Sequence, residues 1–336
     1  MDDHSIELSV IIVSWNVSDL LAACLKSVQE CSSEVHGLEI FVVDNASSDA
    51  TVEMVQRDFP GVHLIANIEN RGFAAANNQA LRLVKGKFVL LLNPDTIVRP
   101  SAFRKLIIYL AQNPRIGMAG PLLKLPDETI QADSARRLPG LLNAMLLIAL
   151  PGERMPLLGA FLERWLAFPY DYAKTQPVEA ITGAAMMVRQ SVLEKIGLLD
   201  ETFFHCGEDV EWCDRVHKAG LGVGFVHDAV IMHYCGQSSI QNLVHTDINA
   251  TLSIQHYYQR RFGAVYSRFY EFIMRIIGSP WIIIVGLIAL LARRLSWADF
   301  QQRFHIALGI FKWKYVGAAA VRKPNQSNIP IKAIYG

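Results

Sequence analysis

The chain has 336 residues, 51% of them hydrophobic, with 32 Lys and Arg against 31 Asp and Glu and a formal charge of +1. That length allows one large or two small domains with a sizeable core, and the near-neutral balance speaks against a nucleic-acid binder acting through bulk charge. Five cysteines (Cys24, Cys31, Cys206, Cys213, Cys235), odd in number and without CxxC spacing, argue for reduced thiols rather than a disulfide framework. Met1–Ser5 is acidic and lacks the basic and apolar regions of a secretory signal, so a cytoplasmic chain is expected. Mean hydropathy is positive, and the apolar excess sits mostly in the last third.

Leu8–Val13 reads as a strand, and Leu21, Cys24, Leu25 and Val28 follow at helical spacing. Glu39–Val43 is the next strand. Ser47-Ser48-Asp49 offers N-cap chemistry to a helix with Val52, Val55 and Phe59 on one face. Val62–Ala66 is a third strand, and Phe73, Ala76, Ala80 and Val84 mark a helix that Gly86 stops. Phe88–Leu92, five apolar residues in a row, reads as a fourth strand buried on both faces, with a helix over Ser101–Gln112 behind it. Strands alternating with helices imply βαβ units and a parallel sheet.

Residues 126–176 are less regular and include the apolar run Leu141–Leu150, too short to cross a bilayer. It reads as a core helix or as a lid touching a membrane. Val178–Arg189 reads as strand-like around Thr182-Gly183-Ala184. Glu208–Ala219 reads as a helix closed by Gly220, and Gly222–Val226 as a further strand with His233 shortly after. Ile276–Ala292 is a 17-residue run without charge, at the lower limit for a transmembrane helix. Arg268 and Arg275 precede it, and Arg293-Arg294, Lys312, Lys314, Arg322 and Lys323 follow. Basic residues on both sides conflict with a simple span. A re-entrant or in-plane anchor, a true span, and a buried soluble helix are the three readings, and Ser279-Pro280 could bend the segment.

Several polar motifs fall at strand ends. Asn93-Pro94-Asp95 follows the fourth strand, and an acid there sits where open α/β folds bind ligands. Such an acid can hold a metal ion against a diphosphate. Asp44-Asn45-Ala-Ser-Ser-Asp49 leads from the second strand into a helix N-terminus, which offers N–H groups to an anion or base edge and is also an ordinary N-cap. In Asn70-Arg71-Gly72-Phe73-Ala-Ala-Ala-Asn77, Gly72 permits close approach and Arg71 can meet a phosphate, though both are common at helix starts. Glu208-Asp209 can serve as a general base or simply complement a helix dipole. His233 can be a ligand or a hydrogen-bonded surface residue. No GxGxxG or GxxxxGK[ST] follows the first strand, which runs instead into Ser14-Trp15-Asn16.

Taken together and in this order, these motifs, with Thr182-Gly183-Ala184 and Phe203-Phe204 ahead of Glu208-Asp209, resemble the family 2 glycosyltransferases of GT-A fold, especially their rhamnosyltransferase-like branch. The resemblance covers roughly residues 7–240. It implies a Rossmann-like, mostly parallel sheet in a catalytic domain over 1–245, and the apolar run Ile276–Ala292 makes the remaining 246–336 a helical, membrane-associated region. It implies an inverting enzyme that uses Mg²⁺ or Mn²⁺ and transfers a sugar from dTDP-L-rhamnose or a UDP-sugar. The acceptor would be a glycan or glycolipid at the cytoplasmic face of the plasma membrane.

By the same resemblance, Asp44 hydrogen-bonds the pyrimidine. Ser14, Asn16, Asn45, Asp49, Arg71, Gly72, Asn77, Asn93 and Asp95 line the nucleotide sugar, and Thr182, Gly183 and Ala184 lie on the acceptor side. Asn93 stands where the family's Asp-x-Asp has its first acid, which leaves Asp95 as the principal metal ligand with His233 as a helper. Asp209 matches the catalytic base, with Glu208 beside it. A catalytically inactive nucleotide-sugar-binding scaffold and a sugar-phosphate nucleotidyltransferase are the alternatives. The latter lacks its Gly-rich, Arg-containing loop here.

Overall fold

The computed structural model describes residues 6–140, 170–204, 206–235 and 243–312, with backbone alone for 243–250. The run Leu141–Leu150 and the tail residues Lys314, Arg322 and Lys323 lie outside the described residues. The chain divides into two compact units. The first comprises Met1–Pro139, Phe161–Glu201 and Glu208–Gln241, and the second Gly140–Ala160, Thr202–Gly207 and Asn242–Gly336.

The first unit opens as the alternation implies: β1 (Leu8–Ser14), α1 (Ser18–Glu30), β2 (Leu38–Asp44), α2 (Thr51–Asp58), β3 (His63–Ala66), α3 (Phe73–Leu81) and β4 (Phe88–Leu92). Its strands pair in parallel in the order β3-β2-β1-β4. Then come β5 (Thr96–Val98), α4 (Ala102–Gln112), β6 (Ile116–Lys124), β7 (Ala135–Arg136), β8 (Gln176–Val178), β9 (Ala180–Ile181), β10 (Ala185–Arg189), α5 (Gln190–Ile196), α6 (Glu208–Lys218) and β11 (Gly222–His233). The sheet continues β4-β10-β6-β11-β5, with β8 also on β11. This half is mixed: β10 is antiparallel to β4 and β6, and β11 is parallel to β6 but antiparallel to β5 and β8. β7 and β9 form a separate antiparallel ribbon.

Alternate residues of the central strands enter two cores. Leu8, Val10, Ile12, Leu90 and Leu92 pack into one, and Ile11, Val13, Val89 and Leu91 into the other. Both faces of β1 and β4 are therefore covered, which is why these strands, Ser9 and Ser14 apart, are apolar on both faces rather than alternating.

Four local expectations are corrected. Thr182-Gly183-Ala184 is a turn between β9 and β10 rather than strand, because Gly183 breaks the apolar run. The strand that begins at Gly222 continues through an irregularity between Val226 and Val230, so His233 ends it instead of following it. Thr96–Val98 is a short strand that the sequence did not advertise. Helix α3 ends at Leu81, well before Gly86. Gly86 serves close approach: a Cβ there would lie 2.6 Å from the Ser9 nitrogen and 2.9 Å from the Leu8 carbonyl carbon. Its N–H meets Ser9 Oγ at 2.9 Å, and Ser9 Oγ donates to the buried Glu39 carboxylate at 2.5 Å.

In the second unit, α7 (Leu243–Phe262) breaks at Gly263, whose φ is +88°. α8 (Ala264–Ile273) then passes through a π turn, Met274–Gly278, into α9 (Ser279–Leu291), and α10 (Trp297–Lys312) folds back. Ser279 Oγ donates to the Ala307 carbonyl at 2.7 Å, and Arg275 Nε to that of Phe311 at 3.0 Å. Ile273, Met274, Val285 and Ala289 are buried, while Val265, Phe269, Phe272, Ile276, Ile284, Leu287 and Leu291 are exposed. Both sides of α8 and α9 are apolar, so composition alone could not say which one the fold covers.

Gly86→Ala should force β1 and the β4 approach apart, at a cost of about 1–3 kcal/mol. Thermal unfolding checks this, with a melting temperature several degrees below wild type as the expected result.

Candidate active site

The carboxyl ends of β1, β2 and β4 gather the polar motifs. In the parallel register Ser14 stands opposite Asp44, and Ile12 opposite Leu92. The loops after β1 and β2 are zipped together. Asn16 donates its N–H to Ser47 Oγ at 2.9 Å and accepts the Ser48 N–H at 2.7 Å on Oδ1, its own φ being +54°. Asp49 accepts the Ser18 N–H at 3.0 Å and the Thr51 hydroxyl at 2.5 Å. Burial opposes ionisation of Asp49, but the hydrogen bonds from Thr51 and Ser18 outweigh it and hold the carboxyl below its usual value.

Asn45 spends its amide on the next loop. Its Nδ2 donates to Asn70 Oδ1 at 2.9 Å, and its Oδ1 accepts the Arg71 N–H at 3.0 Å. It thereby shapes the approach to Gly72, which caps α3 at φ +80°. Arg71 is exposed beside it. Asn77 is buried and turns back into its own helix, donating to the Phe73 carbonyl at 2.9 Å.

Asp44 is 1% exposed. One carboxylate oxygen accepts the Ser47 N–H at 3.0 Å, and the other, Oδ1, is buried with no partner, as is Ser14 Oγ. Buried polar atoms are almost always satisfied, so an orphaned acceptor at this edge points to a ligand that brings an N–H.

After β4, Asn93-Pro94-Asp95-Thr96 makes a turn, with Asn first and Pro second as such turns prefer. The Thr96 hydroxyl donates to the Asn93 carbonyl at 2.7 Å. Thr96 pairs with His233 across β5 and β11, which brings the imidazole to the turn. His233 Nε2 lies 3.2 Å from Asp95 Oδ1 and 3.5 Å from Asn93 Nδ2. Asp95 and His233, 4% and 5% exposed, thus meet as the sequence reading proposed for a metal pair.

The turn at 182–184 links this edge to Asp209. The Asn93 N–H donates to the Ala184 carbonyl at 2.9 Å, and the Gly183 N–H to Asp209 Oδ2 at 2.9 Å. Thr182 begins the same turn. Asp209 Oδ2 also takes a hydrogen bond from Arg136 Nη2, and Oδ1 accepts the Val210 N–H at 2.7 Å in the first turn of α6. Beside it, Glu208 is 5% exposed with Oε2 unpartnered. Burial, and then the Asp209 carboxylate, push the Glu208 carboxyl from 4.5 up to about 8, with Arg136 acting weakly the other way.

Arg136 and Gln131, which receives His233 Nδ1 at 2.8 Å, were not singled out in the sequence. Both sit in the irregular stretch after β6, where no periodicity marks a polar residue as functional.

Residues 9–197, more than half of the chain, match the family model described as Glycosyl transferase family 2. The chain belongs to that family. It is 27% identical over 251 residues to the N-acetylglucosaminyl-diphospho-decaprenol L-rhamnosyltransferase of Mycobacterium tuberculosis, covering 69% of this chain and 77% of the relative. A low-salt glycan biosynthesis hexosyltransferase of Haloferax volcanii is 28% identical over 225 residues, covering 65% of this chain and 64% of the relative. The mannosyltransferase of Pyrobaculum calidifontis, solved with GDP-mannose and Mn²⁺, superposes with a TM-score of 0.53 at 15% identity. It covers 96% of this chain and 88% of its own. The fold is therefore GT-A, an α/β sheet of glycosyltransferase type.

A divalent cation fits the Asp95–His233 pair on geometry. Two neighbouring ligands of an octahedral Mg²⁺, each at about 2.1 Å, are about 3.0 Å apart, close to the observed 3.2 Å. No cluster of three His, Cys, Asp or Glu stands among the described residues, so the remaining positions would fall to diphosphate oxygens and water.

The raised Glu208 carboxyl makes stability pH-dependent. Folded protein keeps a proton that unfolded chain has released, so the contribution of Glu208 to stability is fully present below about 4.5 and is lost as pH rises to about 8. The slope is at most about 1.4 kcal/mol per pH unit. Melting temperatures measured from pH 5 to 8 should fall less in Glu208→Gln than in wild type.

Proposed function

We propose that the chain is an inverting glycosyltransferase that moves L-rhamnose from dTDP-L-rhamnose onto a hydroxyl of a lipid-linked or growing cell-surface glycan. The observation that carries this reading is the buried, unpartnered Asp44 Oδ1 on the sheet edge that also presents Asp95. It can accept the ring N–H of a thymine or uracil. The donor sugar and lipid-linked acceptor draw support from the name of the mycobacterial relative. A UDP-sugar is the second candidate donor.

A divalent cation, Mg²⁺ or Mn²⁺, held by Asp95 and His233 would supply Lewis-acid stabilisation of charge on the departing diphosphate. Arg71, exposed at the start of α3, can meet phosphate oxygens. Asp209 takes the proton from the acceptor hydroxyl. That oxygen bonds to the anomeric carbon as the carbon–oxygen bond to the diphosphate breaks. The scheme needs no protein nucleophile, so there is one displacement and the configuration inverts. Gly183 and Arg136 aim the Asp209 carboxylate, and the protonated Glu208 adds no second negative charge beside it.

The second unit supports attachment at the cytoplasmic face of a membrane. Among the described residues, one helix is long and apolar enough to cross a bilayer, Ala264–Leu291. Arg268, Glu271 and Arg275 fall inside it. A charge at the bilayer centre costs about 2.5–3.5 kcal/mol per residue. The exposed residues Val265, Phe269, Phe272, Ile276, Ile284, Leu287 and Leu291 recur at helical spacing as one ridge. An in-plane anchor, ridge toward the acyl chains and arginines at the headgroups, satisfies both facts.

Release of free dTDP and product from candidate donors tests the activity. Asp209→Asn should lower turnover by about 10²–10⁴-fold while the thermal shift on dTDP binding persists. Near-native turnover in that variant overturns the base assignment. Binding without turnover in wild type, even with lipid acceptors, favours the scaffold reading. For the anchor, replacing Phe269, Phe272, Ile284 and Leu287 with serine should release the protein from anionic vesicles in a flotation assay. Unchanged flotation would refute the ridge.

A further inference from the structure

Gln131 and Asp133 touch neither the donor loops nor Asp209, yet they are built around His233. Gln131 is 7% exposed. Its backbone is locked to the end of β6: its N–H donates to the Leu123 carbonyl at 3.0 Å, and its carbonyl accepts the Ser134 hydroxyl at 2.6 Å. β6 and β11 run side by side to Lys124 and Met232, which sets the Gln131 amide against the imidazole.

The donor and acceptor roles in this chain of contacts are forced. Gln131 Nε2 lies 2.7 Å from Asp133 Oδ1, and a carboxylate only accepts, so the amide nitrogen faces Asp133. The amide oxygen then faces His233 Nδ1 at 2.8 Å. An amide oxygen also only accepts, so Nδ1 carries the hydrogen. In the neutral ring that leaves Nε2 with its lone pair, and Nε2 is the atom 3.2 Å from Asp95 Oδ1. Two electron-rich atoms at that distance are bridged by a proton when the ring is imidazolium and can share a metal ion when it is neutral.

We infer that Gln131 is a positioning residue, oriented by Asp133, which fixes the His233 tautomer so that Nε2 and Asp95 together bind a divalent cation. This rests on the cation reading of the Asp95–His233 pair given above. It extends that reading to two residues that lie outside the motifs. It also bears on a site with Asn93 in place of an acid: in the neutral ring the Nε2 lone pair is the one turned to Asp95. Outer partners of this kind typically change metal affinity by about 10–100-fold when lost.

The test uses the full chain with dTDP present and follows Mn²⁺ binding by electron paramagnetic resonance, with histidine tautomers read by nitrogen-15 NMR. Gln131→Met keeps the side chain's length and removes the acceptor. It should weaken Mn²⁺ binding by about 10–100-fold and convert the His233 ring to a mixture of tautomers. The pair Gln131→Glu with Asp133→Asn restores an acceptor at Nδ1 and a donor behind it, and should recover affinity to within a few-fold. His233→Ala sets the baseline. If His233→Ala weakens Mn²⁺ binding and Gln131→Met does not, the positioning role is overturned while the cation pair stands. If Gln131→Met weakens binding with the tautomer unchanged, the role is also overturned, since the loss is then one of packing. If His233→Ala leaves binding unchanged, the cation pair itself fails, and this inference with it.

Discussion

Coverage of the central strands on both faces is the constraint on which the first unit depends. β1 and β4 have no solvent side, so their polar neighbours can emerge only at the strand ends. At the carboxyl ends, loops that would otherwise leave amides orphaned satisfy one another: Asn16 with Ser47 and Ser48, Asn45 with Asn70 and Arg71. What this mutual pairing leaves over is informative. Ser14 Oγ and Asp44 Oδ1 are the polar atoms that the loops do not satisfy, and they sit side by side in register.

Charge is handled sparingly at the far side of the same edge. Two adjacent carboxyls, both buried, face one guanidinium, Arg136. Burial settles the imbalance by keeping a proton on Glu208 rather than by recruiting a second cation. The protein can thus carry an acidic pair in its interior with the proton kept on Glu208 and the Asp209 oxygens held by Gly183 and Val210.

Most strands and helices of the first 112 residues were legible because their hydrophobic period agrees with the fold. Strand β5 was not, being three residues long and held by pairing with β11, far along the chain. The turn at 182–184 was read as strand because apolar residues flank it on both sides, and only the sheet context shows that the chain leaves the β7–β9 ribbon there to enter the main sheet. The polar residues at strand ends that the structure gathers on one sheet edge were legible by position. Gln131 and Arg136 were not, since they act across 102 and 73 residues of sequence from a segment with no repeating pattern. Asn45 and Asn77, inside recognisable motifs, also hold the backbone around them, through the Arg71 N–H and the Phe73 carbonyl.

The π turn at Met274–Gly278 has a phase consequence for the second unit. A π turn takes one more residue than an α turn, so it lags the residues after it by about one position on the helical wheel, about 100°. That lag keeps Ile284, Leu287 and Leu291 in line with Val265, Phe269 and Phe272. Straightening those five into regular α-helix would leave composition and hydropathy untouched while rotating the second half of the ridge by roughly a quarter turn, whereas deleting one of them would let the turn close as α-helix with the ridge still in line. In this region of the chain length is therefore counted by angle, and two relatives with the same hydropathy profile can present quite different surfaces.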